Sequence, residues 1–256
     1  MIRVFSIVCS CAGRDGATAR FSDMAADRLK ERAAQAGETV EYECITADTV
    51  NLSFCRSCNS CFKKGSCPLD SVDDMPKIKE KLICADVIFF CSPVYMGTMS
   101  GFAKSLIDRI AYYAHRFEFA GKTAAVLVTT STNHGSETVN DIKKMLQFMG
   151  ASVAYAGCAY RHEGEPNIHL PQEMAPELSR LSESVLESLN APEKYIEEWQ
   201  ELSFIHRNRM NKKSARLLEI AKIQLPDEAR VCIERGYGNF KTLTDYVLSM
   251  RGGEKE

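Results

Sequence analysis

Apolar residues recur along the chain in two alternating spacings. Residues 2–9 form a short, β-branched apolar run that predicts a strand; residues 18–36 then place Phe21, Met24, Ala25, Leu29 and Ala33 on one helical face. Residues 40–45 predict a second strand. Residues 71–84 predict a helix opened by Asp73-Asp74, acids suited to a first helical turn. The run 86–91 (DVIFFC) is nearly all apolar, the pattern of a strand covered on both faces. A helix over 100–113, a strand over 123–130 (TAAVLVTT), a helix over 136–149 closing at Gly150, a strand over 152–160 and a helix over 171–189 complete the series.

Five successive βα units of this kind imply a parallel, doubly wound sheet with helices on both faces and right-handed crossovers. Ligands of such sheets bind beyond the carboxyl ends of the strands, where strand order reverses. The polar and glycine-bearing loops 10–18, 55–67, 92–100 and 130–135 each follow a strand, so the sequence places a site at one end of the sheet. Residues 191–256 differ in kind. They carry Trp199, helical stretches, a basic run (Arg207, Arg209, Lys212, Lys213, Arg216) and scattered apolar residues, among them Phe204, Leu217 and Ile220. The expectation is a domain over 1–190 and a helical extension over 191–256 that packs on the domain or on a partner subunit, with the basic run a solvated helix face.

Composition narrows the classes. The 256 residues suffice for a full core, and 45% hydrophobic with 26% charged residues describe an ordinary globular chain. A formal charge of −2 gives no electrostatic reason to expect nucleic acid. The apolar run at the start is too short for a signal peptide core, and no stretch has the roughly 18 apolar residues of a membrane span. A cytoplasmic location without a membrane partner is expected.

Four of the eleven cysteines fall within thirteen residues: Cys55, Cys58, Cys61 and Cys67, spaced C-x2-C-x2-C-x5-C. In a chain without an export signal, that density points to a metal or redox site rather than a disulfide framework. The spacing is tighter than that of most zinc sites and closer to the thiolate run around an iron–sulfur cluster. A redox-active thiol loop without metal and a zinc site stay open as alternatives. Asp73 and Asp74 are read as helix-start residues rather than ligands. Cys9, Cys44, Cys84, Cys91, Cys158 and Cys232 are read as packing residues, and Cys11 is left open beside the loop 10–18.

That loop, Ser10-Cys11-Ala12-Gly13-Arg14-Asp15-Gly16-Ala17-Thr18, has neither a G-x-G-x-x-G nor a Walker pattern. It offers hydroxyls, an arginine, glycines and a helix start, which together suit a phosphate, although a plain βα turn fits equally. In Ser92-Pro93-Val94-Tyr95-Met96-Gly97-Thr98-Met99-Ser100, Pro93 and Gly97 predict a close-fitting turn that a flat ring can approach. Thr130-Ser131-Thr132-Asn133-His134-Gly135 presents small donors at the same end; His134 is read as solvated or structural rather than a proton donor.

These loops resemble those of the flavodoxin-like NAD(P)H-dependent FMN reductase family, and especially its iron–sulfur flavoprotein branch. The resemblance rests on the loop 10–18, the cysteine run followed by Asp73-Asp74-Met75, and Ser92-Pro93-Val94-Tyr95-Met96-Gly97 with Lys104 and Asp108-Arg109. It covers about residues 1–160 and implies sheet order 2-1-3-4-5 and a homodimer or homotetramer. It implies FMN with its phosphate on Ser10, Arg14, Gly16, Ala17 and Thr18, and its ring against Pro93, Val94, Tyr95, Met96 and Gly97 and against Thr130, Ser131, Thr132 and Gly135. The loop 10–18 is one residue longer than usual in the family, and Ala17 stands where asparagine is common. In the iron–sulfur branch a comparable cysteine run holds a [4Fe-4S] cluster, here on Cys55, Cys58, Cys61 and Cys67.

The function this implies is an FMN-dependent oxidoreductase. It passes electrons from NAD(P)H or a reduced protein donor through FMN, with or without a cluster, to a quinone, flavin or other acceptor. No side chain is expected to act as a covalent catalyst. The alternatives are an electron carrier working between a ferredoxin-like donor and an acceptor, and a cysteine-loop metal-binding or redox-sensing module.

Overall fold

The computed structural model describes residues 1–160 and 171–252. Five strands form the parallel sheet: β1 (Ile2–Val8), β2 (Val40–Thr46), β3 (Val87–Tyr95), β5 (Thr123–Thr130) and β6 (Ser152–Tyr160), in the order β2-β1-β3-β5-β6. A two-residue strand β4 (Thr98–Met99) folds back antiparallel on the end of β3. Without that hairpin the order is the 2-1-3-4-5 expected from the sequence.

Side chains alternate across the sheet as a strand period of two requires. Val87, Phe89 and Cys91 enter one core with Val4, Val8, Ala125 and Leu127; Ile88 and Phe90 enter the other with Phe5, Ile7, Val126 and Val128. The first face is covered by α1 (Ala17–Gln35) and α7 (Pro171–Asn190). The second is covered by α3 (Met75–Cys84), α4 (Gly101–Arg109) and α6 (Gly135–Phe148), while the short α2 (Ser60–Lys64) lies in the cysteine loop. Burying an aromatic or aliphatic side chain of this size contributes roughly 1.5–3 kcal/mol, and the central strands are lined with them.

Three boundaries differ from expectation, the first being that the helix predicted over 100–113 ends at Arg109, with a separate short helix over Tyr113–Arg116. The helix predicted over 71–84 begins at Met75, because a 3-10 turn over Pro68–Ser71 precedes it and Asp74 takes the N-cap position. Residues Ser92, Pro93, Val94 and Tyr95, read as loop, continue β3: Ser92 and Pro93 pair with Val128 and Thr129 of β5, and Val94 and Tyr95 pair with Met99 and Thr98 of β4.

The extension is helical as expected: α8 (Glu198–Ala221), α9 (Asp227–Glu234) and α10 (Leu243–Gly252), reached past α5 (Tyr113–Arg116) of the domain. It packs on the domain itself. Phe204, Tyr237, Leu243, Tyr246 and Val247 form a third core around Phe117 and Ala120, which belong to the segment between α5 and β5. Gln200 donates to the carbonyls of Gln147 and Ala151 at 2.9 and 3.2 Å, closing the end of α6. Along α8, Arg209, Lys212, Lys213 and Arg216 are exposed, matching the solvated face predicted. No helix among the described residues is long and apolar enough to cross a membrane.

Trp199, the single tryptophan, packs edge-on against Phe148 of α6 with ring centroids 4.7 Å apart. Because the third core mixes both segments, Trp199 fluorescence and far-UV circular dichroism are expected to report one coincident urea transition. Phe204→Ala is expected to lower the unfolding free energy by about 3–5 kcal/mol. Two separated transitions in the unmodified protein would show that the extension folds independently.

Candidate functional site

At the end of β1 the chain turns through the loop 10–16 into α1. The N-cap of α1 is Gly16, which has no side chain to offer, and the first turn holds no acid. A 19-residue helix therefore points an open N-terminus, with its partial positive charge and free N–H groups, at the loop. Gly16 is required by space: a Cβ there would lie 2.8 Å from that of Ala12. Ser10 is buried and its hydroxyl accepts from the N–H of Ala12 at 3.3 Å. Thr18, also buried, shares a 2.7 Å hydrogen bond with Thr129 at the end of β5. Ser10, Gly16, Ala17 and Thr18 thus lie together.

Arg14 pairs with a carboxylate of α1. Its guanidinium donates to both carboxylate oxygens of Asp23 at 2.7 and 2.8 Å, and Asp23 also accepts from Tyr42 Oη at 2.9 Å. Tyr42 continues through Ser22 (2.9 Å) to Ser6 (2.6 Å) beneath the sheet. Burial drives the Tyr42 phenol far above its usual range, so it stays a neutral donor. Sequence reasoning missed this chain because its members lie on β1, the loop 10–16, α1 and β2, and no spacing links them.

The hairpin β3–β4 turns on Met96 and Gly97, both with positive φ (49° and 78°), the pattern of a two-residue I′ turn. Glycine takes this conformation freely. A methionine there costs roughly 1–2 kcal/mol, and the Met96 side chain is fully exposed. Ser92 and Ser100 lock the hairpin base: the Ser100 N–H donates to Ser92 Oγ at 3.0 Å, and Ser100 Oγ donates to the carbonyl of Cys9 at 2.6 Å. The second bond ties the hairpin to the start of the loop 10–16. Tyr95 is half-exposed beside the turn.

The loop after β5 completes this end of the sheet. Ser131 and Thr132 are exposed, while Thr130 is buried and donates to the carbonyl of Asn133 at 3.2 Å. The ring of His134 lies against Gly97, 3.4 Å from where a Cβ would stand, so the two loops meet. Gly135 has Cys158 Sγ only 2.6 Å from the corresponding position, which no side chain would tolerate.

β2 pairs with β1 to its last residue, Thr46 against Val8, so the segment leading from β2 into the cysteine loop emerges beside the loop 10–16. The two ends of the cysteine loop are stitched together. Asp74 N–H donates to the Asn51 carbonyl at 3.0 Å and its carboxylate accepts from Asn51 N–H at 2.9 Å. Asp73 accepts from the N–H groups of Ser53 and Met75, each at 3.1 Å. Arg109, at the end of α4, is buried and bonds both ends: the Ser53 carbonyl at 2.9 Å, Asp70 at 2.8 Å, and Asp73 through both nitrogens. Burial alone would raise the Asp73 carboxyl, but the bonds from Arg109, Ser53 and Met75 outweigh it and hold it below the usual range. Asp73 and Asp74 are thus helix-start residues, as expected, and Asp73 is also an ion-pair partner.

Between the pinned ends, Cys55 and Cys58 are exposed and Cys61 and Cys67 half-buried. Ser57 and Asn59, on either side of Cys58, both have left-handed backbone. Burial pushes the Cys61 thiol up, with a smaller push from the neighbouring Cys67 and Cys55. Among the described residues, no three potential ligands converge on a point as a single metal ion would require. The extension backs this loop. Phe62 of α2 packs on His115 (4.9 Å between centroids), His115 bonds Glu228 of α9, and Asp227 lies directly behind Gly65, where a Cβ would come within 2.6 Å.

Outside the loop, Cys9, Cys91 and Cys232 are buried as packing residues, and Cys44 and Cys158 are partly buried. Cys84 departs from that reading: it sits exposed at the end of α3, beyond the last turn that the sheet covers. Cys11 is exposed on the loop 10–16.

The NADPH-dependent FMN reductase family matches residues 2–165. The chain belongs to that family. It is also similar to iron–sulfur flavoproteins: 39% identical over 104 residues to one from Methanocaldococcus jannaschii (40% of this chain, 53% of the relative). To one from Methanosarcina thermophila it is 37% identical over 103 residues (39% and 52%). The matched part thus spans about half the length of these curated relatives. Among solved structures, an apo NADH:FMN oxidoreductase (EMOB) aligns with TM-score 0.53 at 16% identity, over 75% of this chain and 91% of that one. RosB with a bound riboflavin-phosphate intermediate aligns with TM-score 0.55 at 13% identity (84% and 87%). At such identities these structures bear on the fold alone.

The family's flavin finds suitable chemistry in the chain. An uncapped helix N-terminus without acids suits a phosphate, and the exposed turn at Met96-Gly97 offers backbone beside the glycine for a ring to approach. The four cysteines match a four-iron cluster in ligand number and type, since such a cluster takes one thiolate at each iron.

Two outcomes follow. Iodoacetamide at pH 8 is expected to label Cys55, Cys58, Cys11 and Cys84 first on peptide mapping. Cys91, pushed by burial to about 12, and Cys158 and Cys232, pushed to about 11, are expected to label last. Gly16→Ala is expected to weaken FMN binding more than Arg14→Gln does, as read by flavin fluorescence. Arg14→Gln should stay within about tenfold, since an exposed arginine already paired with Asp23 has at most about 1 kcal/mol to redirect.

Proposed function

We propose that the protein is an FMN oxidoreductase of the iron–sulfur flavoprotein kind, taking electrons from NAD(P)H or a reduced protein donor. The observation that carries this reading is the pairing of β1 with β2 to their last residues, Val8 and Thr46. It sets the segment that leads into the cysteine loop beside an open helix N-terminus. FMN, where bound, supplies hydride acceptance and single-electron return, and a [4Fe-4S] cluster supplies one-electron relay.

The chain's own part is binding and orientation. The N–H groups of Ala17 and Thr18, with Ser10, would hold the phosphate. The backbone of Pro93–Gly97 would take one side of the ring and Thr130–Gly135 its edge. Cys55, Cys58, Cys61 and Cys67 would hold the cluster, in a loop fixed at both ends. No side chain is needed as nucleophile or base.

A second reading, an electron carrier without small-molecule turnover, is favoured by the solvent face of that loop. Arg56, Lys63 and Lys64 are exposed with Cys55 and Cys58, a positive fringe suited to an acidic protein donor.

Purification without oxygen, followed by flavin, iron and sulfide analysis and titration with NADH and NADPH, tests the proposal. One FMN and about four irons per chain, bleached by either nicotinamide, is the expected result. Bleaching only by a reduced protein donor would favour the carrier, and a chain that takes up neither flavin nor iron would overturn both.

A further inference from the structure

We infer that Arg109 is the positioning residue of the cysteine loop, holding its two ends at a fixed separation and joining them to the helix that leaves the flavin hairpin. The inference rests on the reading of that loop as a cluster site. Arg109 is a costly residue to bury: its side chain has no solvent exposure and its Nε has no hydrogen-bond partner. Its other nitrogens all bond the loop's ends. Ser53, whose carbonyl accepts from Nη1, stands two residues before Cys55. Asp70, which accepts from Nη2, stands three residues after Cys67, and Asp73 accepts from both nitrogens. Asp70 is held from its other side by Lys79 at 2.6 Å.

This geometry needs a guanidinium. Three acceptors from two chain segments lie around one planar fork, whose paired N–H groups address them together. A lysine brings the charge but a single nitrogen, and cannot span the segments. The arginine also sits at the far end of α4, whose N-cap, Ser100, closes the hairpin and bonds the Cys9 carbonyl. One nine-residue helix, about 13 Å long, therefore carries the hairpin at one end and the fastening of the cysteine loop at the other.

The test compares the unmodified protein with Arg109→Lys, which keeps the charge, and Asp70→Asn, which keeps the shape and loosens only the Cys67 end. Phe204→Ala serves as a control that destabilises the fold by another route. In metal-free protein, dibromobimane bridging among Cys55, Cys61 and Cys67 is mapped on tryptic peptides, which Arg56, Lys63 and Lys64 conveniently separate. In the reconstituted protein, iron retention against a chelator is measured alongside FMN affinity.

Both loop variants are expected to lose bridging, and to release iron at chelator concentrations about 10- to 100-fold lower, as loss of a partner supporting metal ligands does. FMN affinity and the Phe204→Ala readings should stay at parental levels. Should Arg109→Lys fail to fold, Asp70→Asn decides alone. Parental bridging and iron retention in the folded loop variants would overturn the inference. A parent that takes up no iron, yet whose bridging falls in the variants, would refute the cluster reading while leaving Arg109 its role.

Discussion

The central strands of this sheet have no room for chemistry along their length. β3 is apolar from Val87 to Cys91 and buried on both faces, and β5 carries hydroxyls only at its two ends. Polar groups that must meet a ligand are therefore confined to the carboxyl ends of the strands, where the sheet stops being covered. Everything argued for the site depends on that confinement. It brings Ser10, Thr18, Thr129, Thr130 and the Met96-Gly97 turn together although they are far apart in sequence, and the β1–β2 pairing sets the segment that leads into the cysteine loop beside the loop 10–16.

A second constraint operates beneath the loops. The chain buries a guanidinium and a carboxylate, Arg109 and Asp73, each with fully buried side chains. Apolar residues of similar volume would often serve stability equally well. What they would not do is fix where two chain segments end. The pair accepts and donates to Ser53, Met75 and Asp70 as well, so the segments before Cys55 and after Cys67 have one permitted arrangement. Arg14 shows the opposite use of the same residue type: exposed and paired with the single carboxylate of Asp23.

The layers of the fold were legible in the sequence because strand and helix periods report burial directly. The unbroken apolar runs DVIFFC and TAAVLVTT are the strands whose side chains divide between the two cores across the sheet. Loop geometry was legible where neighbours in sequence act together, as in the close turn of the Pro93–Gly97 stretch. It was not legible where the partners are distant. Nothing near Arg14 announces Asp23 and Tyr42 as its partners, and nothing near Arg109 announces Ser53 and Asp70. The continuation of β3 through Tyr95 was missed for a related reason: its ladder partner is the short return strand, whose two residues carry no period of their own. Cys84 was misread because residue type favours burial while its position, past the covered turns of α3, does not.

The extension changes how the cysteine loop should be regarded. The family match ends at residue 165, yet α9 supplies Asp227 behind Gly65 and Glu228 to His115, which in turn packs on Phe62 beside Cys61. Gly65 has φ of +77°, so both its backbone and the carboxylate behind it demand glycine at the point where the chain turns from Cys61 toward Cys67. The loop is thus fastened from two directions. Arg109 fixes its ends from the domain side, and α9 fixes its middle from the extension. A loop with Cys55 and Cys58 open to solvent would otherwise be free to fluctuate. Fastening it on the inner side only leaves those two thiols at the surface while Cys61 and Cys67 stay set against the protein. That division leaves any group held by all four cysteines with one side against the protein and the other toward solvent.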